Sequence, residues 1–156
     1  MSKNLAYVYR SYHDNGILKG EVFTINDKIQ GIAKVYHDDG SLHYHSNYTN
    51  GKCNGRSFYF YKNSNQISGT VNTINGKEEG IYKAFYKNGN IYTIENVANN
   101  MNHGIQKVFY ESGNLMVIAK YKNWEKDGES IFYYDSGEIL YHYIYSNGEI
   151  IKKIKH

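Results

Sequence analysis

The hydrophobic and polar positions of this chain repeat with a period of about 24 residues. Residues 80 to 91 (GIYKAFYKNGNI) and 104 to 115 (GIQKVFYESGNL) share the first glycine, a Phe-Tyr pair, a turn glycine and a final aliphatic residue. A degenerate first unit begins at Tyr7, and the others begin at Gly31, Gly55, Gly80, Gly104 and Gly128. Self-similarity at a fixed period indicates a repeat architecture, so the repeat is the unit to be predicted.

Each repeat has the pattern of a β-hairpin. An extended run is followed by a tight turn such as DNG, KNG or ESG, a second extended run, and a looser turn of the type NGKxxG. Because Ser-Gly suits a type I′ turn poorly, we expect a three-residue loop that ends in a glycine with positive φ. Ser64 replaces this glycine in the third repeat, where one inserted residue predicts an altered turn.

The predicted fold is therefore all-β, a repeat protein of about six successive antiparallel β-hairpins that form an elongated twisted sheet. We expect a single domain over residues 1–156, with edge strands at both ends. Its repeats cover residues 7–30, 31–54, 55–79, 80–103, 104–127 and 128–156.

The loop length also predicts which side chains are paired across each hairpin. The aromatic sixth residue of a repeat lies opposite an aliphatic residue, in the pairs Tyr12–Leu18, Tyr36–Leu42, Phe85–Ile91, Phe109–Leu115 and Tyr133–Ile139. Such cross-strand pairs stabilise antiparallel sheets. We predict that they form the core face of the sheet and that the same face continues through Tyr48, Val97, Tyr121 and Tyr145.

The residue after each of these aromatic residues forms a second column, which we name the ladder. It is histidine or tyrosine in every repeat: His13, His37, Tyr61, Tyr86, Tyr110 and Tyr134. Alternation along the strand places the ladder opposite the core face, with His43, His45, Tyr92 and His142 beside it on the returning strands. One interpretation is ordinary sheet covering, since tyrosine favours strands and extends its hydroxyl to water. The other is a partner-binding surface, because tyrosine offers rigid contact area at low entropic cost.

The composition limits the classes of function. The 156 residues include 18 Tyr, 15 Gly and no Pro, which favours strands joined by glycine turns, and 16% aromatic residues exclude simple disorder. A net charge of +3 gives no field that indicates nucleic acid, and Lys34, Lys83 and Lys107 fall on the predicted core face. The first 25 residues contain no apolar segment of signal-peptide length, so we expect a cytoplasmic protein.

The chain shows no arrangement of residues that indicates catalysis. Cys53 is the single cysteine and lies in a turn, so we expect an inert thiol. His43 and His45 project from one face of a strand, yet two histidines without a nearby cysteine or carboxylate are a weak metal signal. No nucleophile, phosphate-binding or metalloprotease motif occurs. Equivalent repeats also give no single residue a distinctive pKa, so we predict a protein that is not an enzyme and needs no cofactor or metal.

The pattern G-x-x-x-x-[FY]-Y-x-x-G-x-[LI] followed by x-Y-x-N-G-K-x-x-G resembles the variant form of the MORN repeat, as found in the YwqK-type antitoxin family. The best matches are Gly80 to Ile91, Gly104 to Leu115 and Gly128 to Ile139, and the resemblance covers essentially the whole chain. The sequence departs from this pattern at Tyr7, Ser64, Asn100 and Trp124.

The resemblance implies a sheet of hairpins that serves as an interaction module. We expect a protein that binds another protein through one face of its sheet, either an antitoxin or immunity protein that binds a toxin, or a scaffold, with the ladder as its contact residues. The alternative that the resemblance leaves open is peripheral binding to phospholipid, to which the basic tail from Ile150 to His156 would contribute.

Overall fold

The computed structural model describes residues 5–155, and every regular element in this range is a β-strand. Met1 to Asn4 and His156 of the predicted domain lie outside the described residues. The strands are β1 (Ala6–Tyr12), β2 (Leu18–Ile25), β3 (Lys28–Ile29), β4 (Gly31–Tyr36), β5 (Leu42–Thr49), β6 (Lys52–Cys53), β7 (Gly55–Phe60), β8 (Ile67–Ile74), β9 (Lys77–Phe85), β10 (Ile91–Ala98), β11 (Met101–Asn102), β12 (Gly104–Phe109), β13 (Leu115–Lys122), β14 (Glu125–Tyr133), β15 (Ile139–Ser146) and β16 (Glu149–Ile154). The predicted all-β fold of successive hairpins is confirmed.

The chain divides into two compact units, one that ends at Lys77 and one that begins at Glu78. In the first unit the strand order is β1-β2-β4-β5-β7-β8, and the short strands β3 and β6 pair with β2 and β5. In the second unit the order is β9-β10-β12-β13-β14-β15-β16, and β11 pairs with β10. Neighbouring strands in each order are antiparallel, as short connections between successive strands require.

The tight turns have the predicted geometry. In the first hairpin the Gly16 N–H donates to the His13 carbonyl, and the His13 N–H donates to the Ile17 carbonyl, which closes a three-residue loop. Gly16 has a φ of 82°, a conformation that glycine adopts without steric cost. The loops at Gly40, Gly89, Gly113 and Gly137 follow the same pattern.

The turn of the third repeat changes as its inserted residue predicts. The residue with positive φ is Asn63, at 58°, and the Ser64 hydroxyl accepts a hydrogen bond from the Gln66 N–H at 2.9 Å. Phe60 still pairs with Ile67, so the insertion is accommodated within the loop. Asparagine tolerates the left-handed region better than serine, which explains the shift of that conformation by one residue.

The connections between hairpins are tighter than the sequence predicted. Asn50 and Gly51 both have positive φ, and Thr49 pairs with Lys52 on either side of them, which describes a two-residue type I′ turn. Asparagine followed by glycine is the preferred sequence for this turn, so the looser turn expected here is replaced by a second hairpin turn. The same pair of positive φ values recurs at Asn75–Gly76, Asn99–Asn100, Asn123–Trp124 and Asn147–Gly148.

The predicted aromatic–aliphatic pairs are all present. Tyr12 lies opposite Leu18, and the corresponding pairs are Tyr36–Leu42, Phe85–Ile91, Phe109–Leu115 and Tyr133–Ile139. The glycine spacing alone was sufficient to predict this register, because a fixed loop length determines which residues are opposite.

A one-residue β-bulge follows each of these pairs, and the Phe60–Ile67 pair, on the returning strand. The residues beyond the bulge lie on the face opposite to the one predicted. In the second hairpin Tyr36 pairs with Leu42 but Val35 pairs with Tyr44, so His43 is the extra residue. The equivalent residues are Lys19, Ser68, Tyr92, Met116 and Leu140. Because a one-residue shift moves every later side chain to the other face, Tyr48, Val97, Tyr121 and Tyr145 lie opposite the first glycine of their repeats and not on the face of the aromatic pairs.

Among the described residues, every buried residue except His142 lies on the face that does not carry the aromatic–aliphatic pairs, which we name the small-residue face. Ala33 and Ser46 pair across a hairpin, and both are buried, as are Ala84 and Thr93. The paired aromatic residues Phe85 and Phe109 are half-buried. The predicted core face is therefore the less buried of the two. The bulge accounts for this only on the returning strands, since Ala33 and Ala84 lie on outgoing strands.

Candidate binding surfaces

The ladder residues lie at the turn end of each hairpin, immediately after the last paired residue of the outgoing strand. In the second unit the Tyr86 hydroxyl donates to the Phe109 carbonyl at 2.8 Å, and the Tyr110 hydroxyl donates to the Tyr133 carbonyl at 2.7 Å. Each bond spans 23 residues, so each ladder residue is bound to the following repeat.

Histidine makes the equivalent contact in the first unit. Nε2 of His13 lies 3.0 Å from the Tyr36 carbonyl oxygen, and Nε2 of His37 lies 3.4 Å from that of Phe60. A carbonyl only accepts hydrogen bonds, so Nε2 is the nitrogen that carries the donated hydrogen in both rings. Histidine and tyrosine can occupy the same repeat position because both carry a donor at the far end of a flat ring.

The ladder rings are also supported by the bulge residues. The rings of His37 and His43 lie 4.3 Å apart between centroids, and those of Tyr86 and Tyr92 lie 5.2 Å apart in an edge-to-face arrangement. Burial lowers the pKa of His43, and the neighbouring His37 adds to this effect. The ladder thus has a structural role at the hairpin ends, which we did not predict from the sequence. Tyr134 of the last repeat is the most exposed tyrosine of the ladder, at 50%.

Two histidines that were expected beside the ladder lie elsewhere. His45 pairs with Lys34, and His142 pairs with Ile131, which places both on the face of the aromatic–aliphatic pairs. His142 is buried, and its Nε2 lies 2.7 Å from a carboxylate oxygen of Glu129. The prediction was wrong because the bulge in the returning strand shifts both residues to the other face.

The face that carries the aromatic–aliphatic pairs exposes isoleucine at the second position of three repeats, and we name it the isoleucine face. Ile32, Ile81 and Ile105 are 53%, 53% and 48% exposed. Lysine follows two positions later on the same face, at Lys34, Lys83 and Lys107. Each unit therefore presents a surface of aliphatic side chains and amino groups.

A buried polar cluster surrounds Cys53 on the small-residue face. The Ser46 hydroxyl lies 2.7 Å from the Cys53 sulfur and 2.7 Å from the Ser57 hydroxyl. Burial by itself raises the pKa of the Cys53 thiol, but hydrogen bonds from Ser46, Ser57, Thr73 and Tyr44 outweigh burial and lower it. The cluster satisfies buried hydroxyl groups within the sheet.

Within residues 5–155, no group of three or more His, Cys, Asp or Glu side chains is arranged to hold a metal ion. Over the same range no helix is long and apolar enough to cross a membrane.

The family model described as the MORN repeat variant matches residues 8–26, 29–50, 78–99, 102–123 and 126–147. Residues 51–77 are not matched by this model, and they contain the third hairpin, with the altered turn at Asn63. No curated protein matches the chain significantly.

Each matched segment covers one hairpin and ends at the first residue of a two-residue turn, which is Asn26, Asn50, Asn99, Asn123 or Asn147. The segments together cover more than half of the chain. Repeats of this kind are generally modules for interaction with proteins or membranes, and proteins that contain them are typically non-catalytic. The hairpin register, the recurring turns and the sequence match lead to one conclusion: the chain belongs to the MORN repeat variant family.

Proposed function

We propose that this chain is a non-catalytic protein-binding module that recognises another protein through the isoleucine face of its sheet. The observation that supports the proposal is the exposure of Ile32, Ile81 and Ile105 at one equivalent position of three repeats. Single exposed aliphatic residues are normal on a protein surface, whereas repeated exposure on one face, as at Ile81 and Ile105 within the second unit, is characteristic of interaction sites.

The ladder residues His13, His37, Tyr61, Tyr86, Tyr110 and Tyr134 are proposed as contacts at the margin of this interface. In the four ladder residues described above, the polar end of the ring is bonded to the next repeat, so the ring surface is the part that a partner would contact. Tyr134 is the best residue to test, because half of its surface is exposed.

The resemblance to the antitoxin family suggests a more specific form of the proposal, in which the partner is a toxin and binding neutralises it. A scaffold protein that holds a partner without inhibiting it would use the same surface. The two roles differ in whether the partner loses its activity when bound, which an inhibition assay on the purified partner would decide.

Affinity capture of the tagged full-length chain from a lysate of its source organism, read by mass spectrometry, tests the proposal. We expect one protein at near-stoichiometric yield, lost when Ile81 and Ile105 are both replaced by serine. The matched control is Ile151→Ser, since Ile151 is also an exposed isoleucine but lies on the edge strand β16. A partner retained by the double variant would contradict the assignment to the isoleucine face.

The second candidate function is peripheral binding to phospholipid. It is favoured because exposed isoleucine and lysine share a face within each unit, with Lys34 in the first unit and Lys83 and Lys107 in the second. Vesicle flotation with and without anionic phospholipid separates it from protein binding. Flotation that requires anionic lipid, together with no captured protein, would replace the first proposal by the second.

A further inference from the structure

The isoleucine face of the second unit contains a continuous row of paired residues across seven strands. Strand pairing joins Lys83 to Ile94, Ile94 to Lys107 and Lys107 to Ile118. It continues from Ile118 through Ile131 and His142 to Ile154 on β16. Directly paired residues share one face, so the row is a line of side chains that runs perpendicular to the strands.

A groove of about 240 Å³ lies beside this row. Its apolar lining comes from Ile105, Ile118, Ile131 and Tyr133, and its polar lining includes Lys120 and Glu129. Ile105 and Lys120 are cross-strand partners, which places an amino group next to the most exposed aliphatic side chain of the groove. The groove therefore suits an apolar side chain with a negative charge beside it.

The charges of this surface favour a partner with carboxylates. Lys83, Lys107 and Lys120 lie on the face, and in the described part of the second unit none of them forms an ion pair with a carboxylate. Glu129, by contrast, is engaged by His142 at 2.7 Å. Complementary charges across an interface direct association and select the partner.

We propose that the isoleucine face of the second unit binds an acidic segment of the partner protein, with an aliphatic or aromatic side chain in the groove and carboxylates on Lys107 and Lys120. This inference rests on the proposed function and specifies the partner's chemistry. A protein segment fits better than a lipid surface, because a segment can place an apolar side chain in the groove beside its own carboxylates, whereas the apolar part of a lipid lies beneath its headgroups.

The row also sets the length of the segment. Strands lie about 4.8 Å apart, so the seven strands from β9 to β16 span about 29 Å, which is the length of roughly nine extended residues.

The test is selection from a displayed library of random peptides, about nine residues long, on the full-length chain. We expect the enriched peptides to combine two or more Asp or Glu residues with a central aliphatic or aromatic residue. A synthetic copy of the best peptide should bind Lys107→Glu about tenfold more weakly than the unsubstituted chain, equivalent to about 1.4 kcal/mol. Ile105→Ser should weaken binding similarly, because it removes part of the groove.

The matched control is Lys87→Glu, which makes the same charge change in the tight turn before Gly89. Circular dichroism of each variant establishes that the sheet is retained. Enriched peptides that lack carboxylates, or that bind Lys107→Glu and the unsubstituted chain equally, would overturn the inference and leave the proposed protein binding standing. Failure to enrich any peptide would also overturn it, whereas the proposed function is judged separately by affinity capture.

Discussion

At the scale of single residues, the ladder side chains have a structural role that the sequence did not predict. The sequence left open whether these side chains cover the sheet or bind a partner. In the structure, the hydroxyls of Tyr86 and Tyr110 donate hydrogen bonds to carbonyl groups of the following repeat. A ring that holds two repeats together is therefore a stabilising residue, whether or not a partner also contacts it.

Tyr110→Phe tests this stabilising role. We expect the free energy of unfolding to fall by about 1 kcal/mol, because the variant keeps the ring and leaves the Tyr133 carbonyl without its donor. Urea denaturation followed by circular dichroism measures the change. Tyr134→Phe is the control, since its hydroxyl belongs to a half-exposed ring, and it should change stability by a few tenths of a kcal/mol at most. Equal losses in both variants would contradict the role of the bond.

Two buried serines at the same repeat position test how much a hydrogen-bond partner contributes to stability. Ser57 and Ser130 are both buried, but only the Ser57 hydroxyl has a partner, the Ser46 hydroxyl at 2.7 Å, while the Ser130 hydroxyl has none within residues 5–155. A buried hydroxyl without a partner is destabilising. We expect Ser130→Ala to raise the free energy of unfolding by about 1 kcal/mol and Ser57→Ala to lower it by about 1 kcal/mol. Thermal denaturation of the two variants shows whether each substitution stabilises or destabilises the fold. A change in the same direction in both variants would contradict the assigned difference in hydrogen bonding.

At the scale of elements, the turns could be predicted from the sequence and the bulges could not. The turns follow from Gly and Asn, which favour left-handed conformations, at fixed positions of the repeat. The extra residue of each bulge is Lys19, His43, Ser68, Tyr92, Met116 or Leu140, and these side chains share no chemical property. A bulge that depends only on backbone geometry leaves no signature in the residue type, so the burial pattern beyond it was predicted for the wrong face.

One of the type I′ turns contains a strained residue. Trp124 has a φ of 73° at the position where Gly51, Gly76 and Gly148 occur in other repeats. The left-handed conformation costs a non-glycine residue roughly 1–2 kcal/mol. Trp124→Gly should therefore raise the free energy of unfolding, by about 0.5–1 kcal/mol after the extra flexibility of glycine in the unfolded chain is counted.

The control for this turn is the reverse change at the equivalent position. Gly148 has a φ of 82°. Gly148→Ala should lower the free energy of unfolding by about 1 kcal/mol, because the alanine side chain is strained at positive φ and glycine is not. Urea denaturation of both variants measures whether the free energy of unfolding rises in Trp124→Gly and falls in Gly148→Ala. A loss of stability in Trp124→Gly would show that contacts of the indole ring exceed the backbone strain.

At the scale of the whole molecule, the abundance of tyrosine predicts sensitivity to alkali. Burial raises the pKa of Tyr48 to about 12, with smaller contributions from Tyr44 and other neighbours, and burial also raises the pKa of Tyr121 and Tyr145. A phenol whose folded pKa exceeds its unfolded value of about 10 stabilises the fold fully below pH 10, and this contribution is lost as the pH approaches 12.

We expect the melting temperature to fall steeply between pH 10 and 12, and we expect Tyr48→Phe to reduce that fall because phenylalanine does not ionise. Melting curves of the two proteins across this range are the measurement. An identical pH dependence in the variant would show that Tyr48 does not contribute to it.

The fold could be predicted to the level of hairpin register, whereas the binding surface could not be placed. Register depends on loop length, which the spacing of Gly16, Gly40, Gly89, Gly113 and Gly137 records directly. A binding face depends on which side remains exposed, and exposure depends on the bulges and on how neighbouring hairpins cover each other. The sequence shows that Ile81 and Ile105 occupy the same repeat position, but it does not show that they are exposed.

The bond from one ladder residue to the next repeat also bears on how such a chain changes in evolution. Tyr86 reaches the Phe109 carbonyl, and Tyr110 reaches the Tyr133 carbonyl, by the same geometry one repeat further along. A duplicated copy of one whole repeat would therefore receive this bond from the repeat before it and donate it to the repeat after it. Gene duplication in whole repeats leaves the stabilising bonds intact, so the number of hairpins is free to change while the register within each is not.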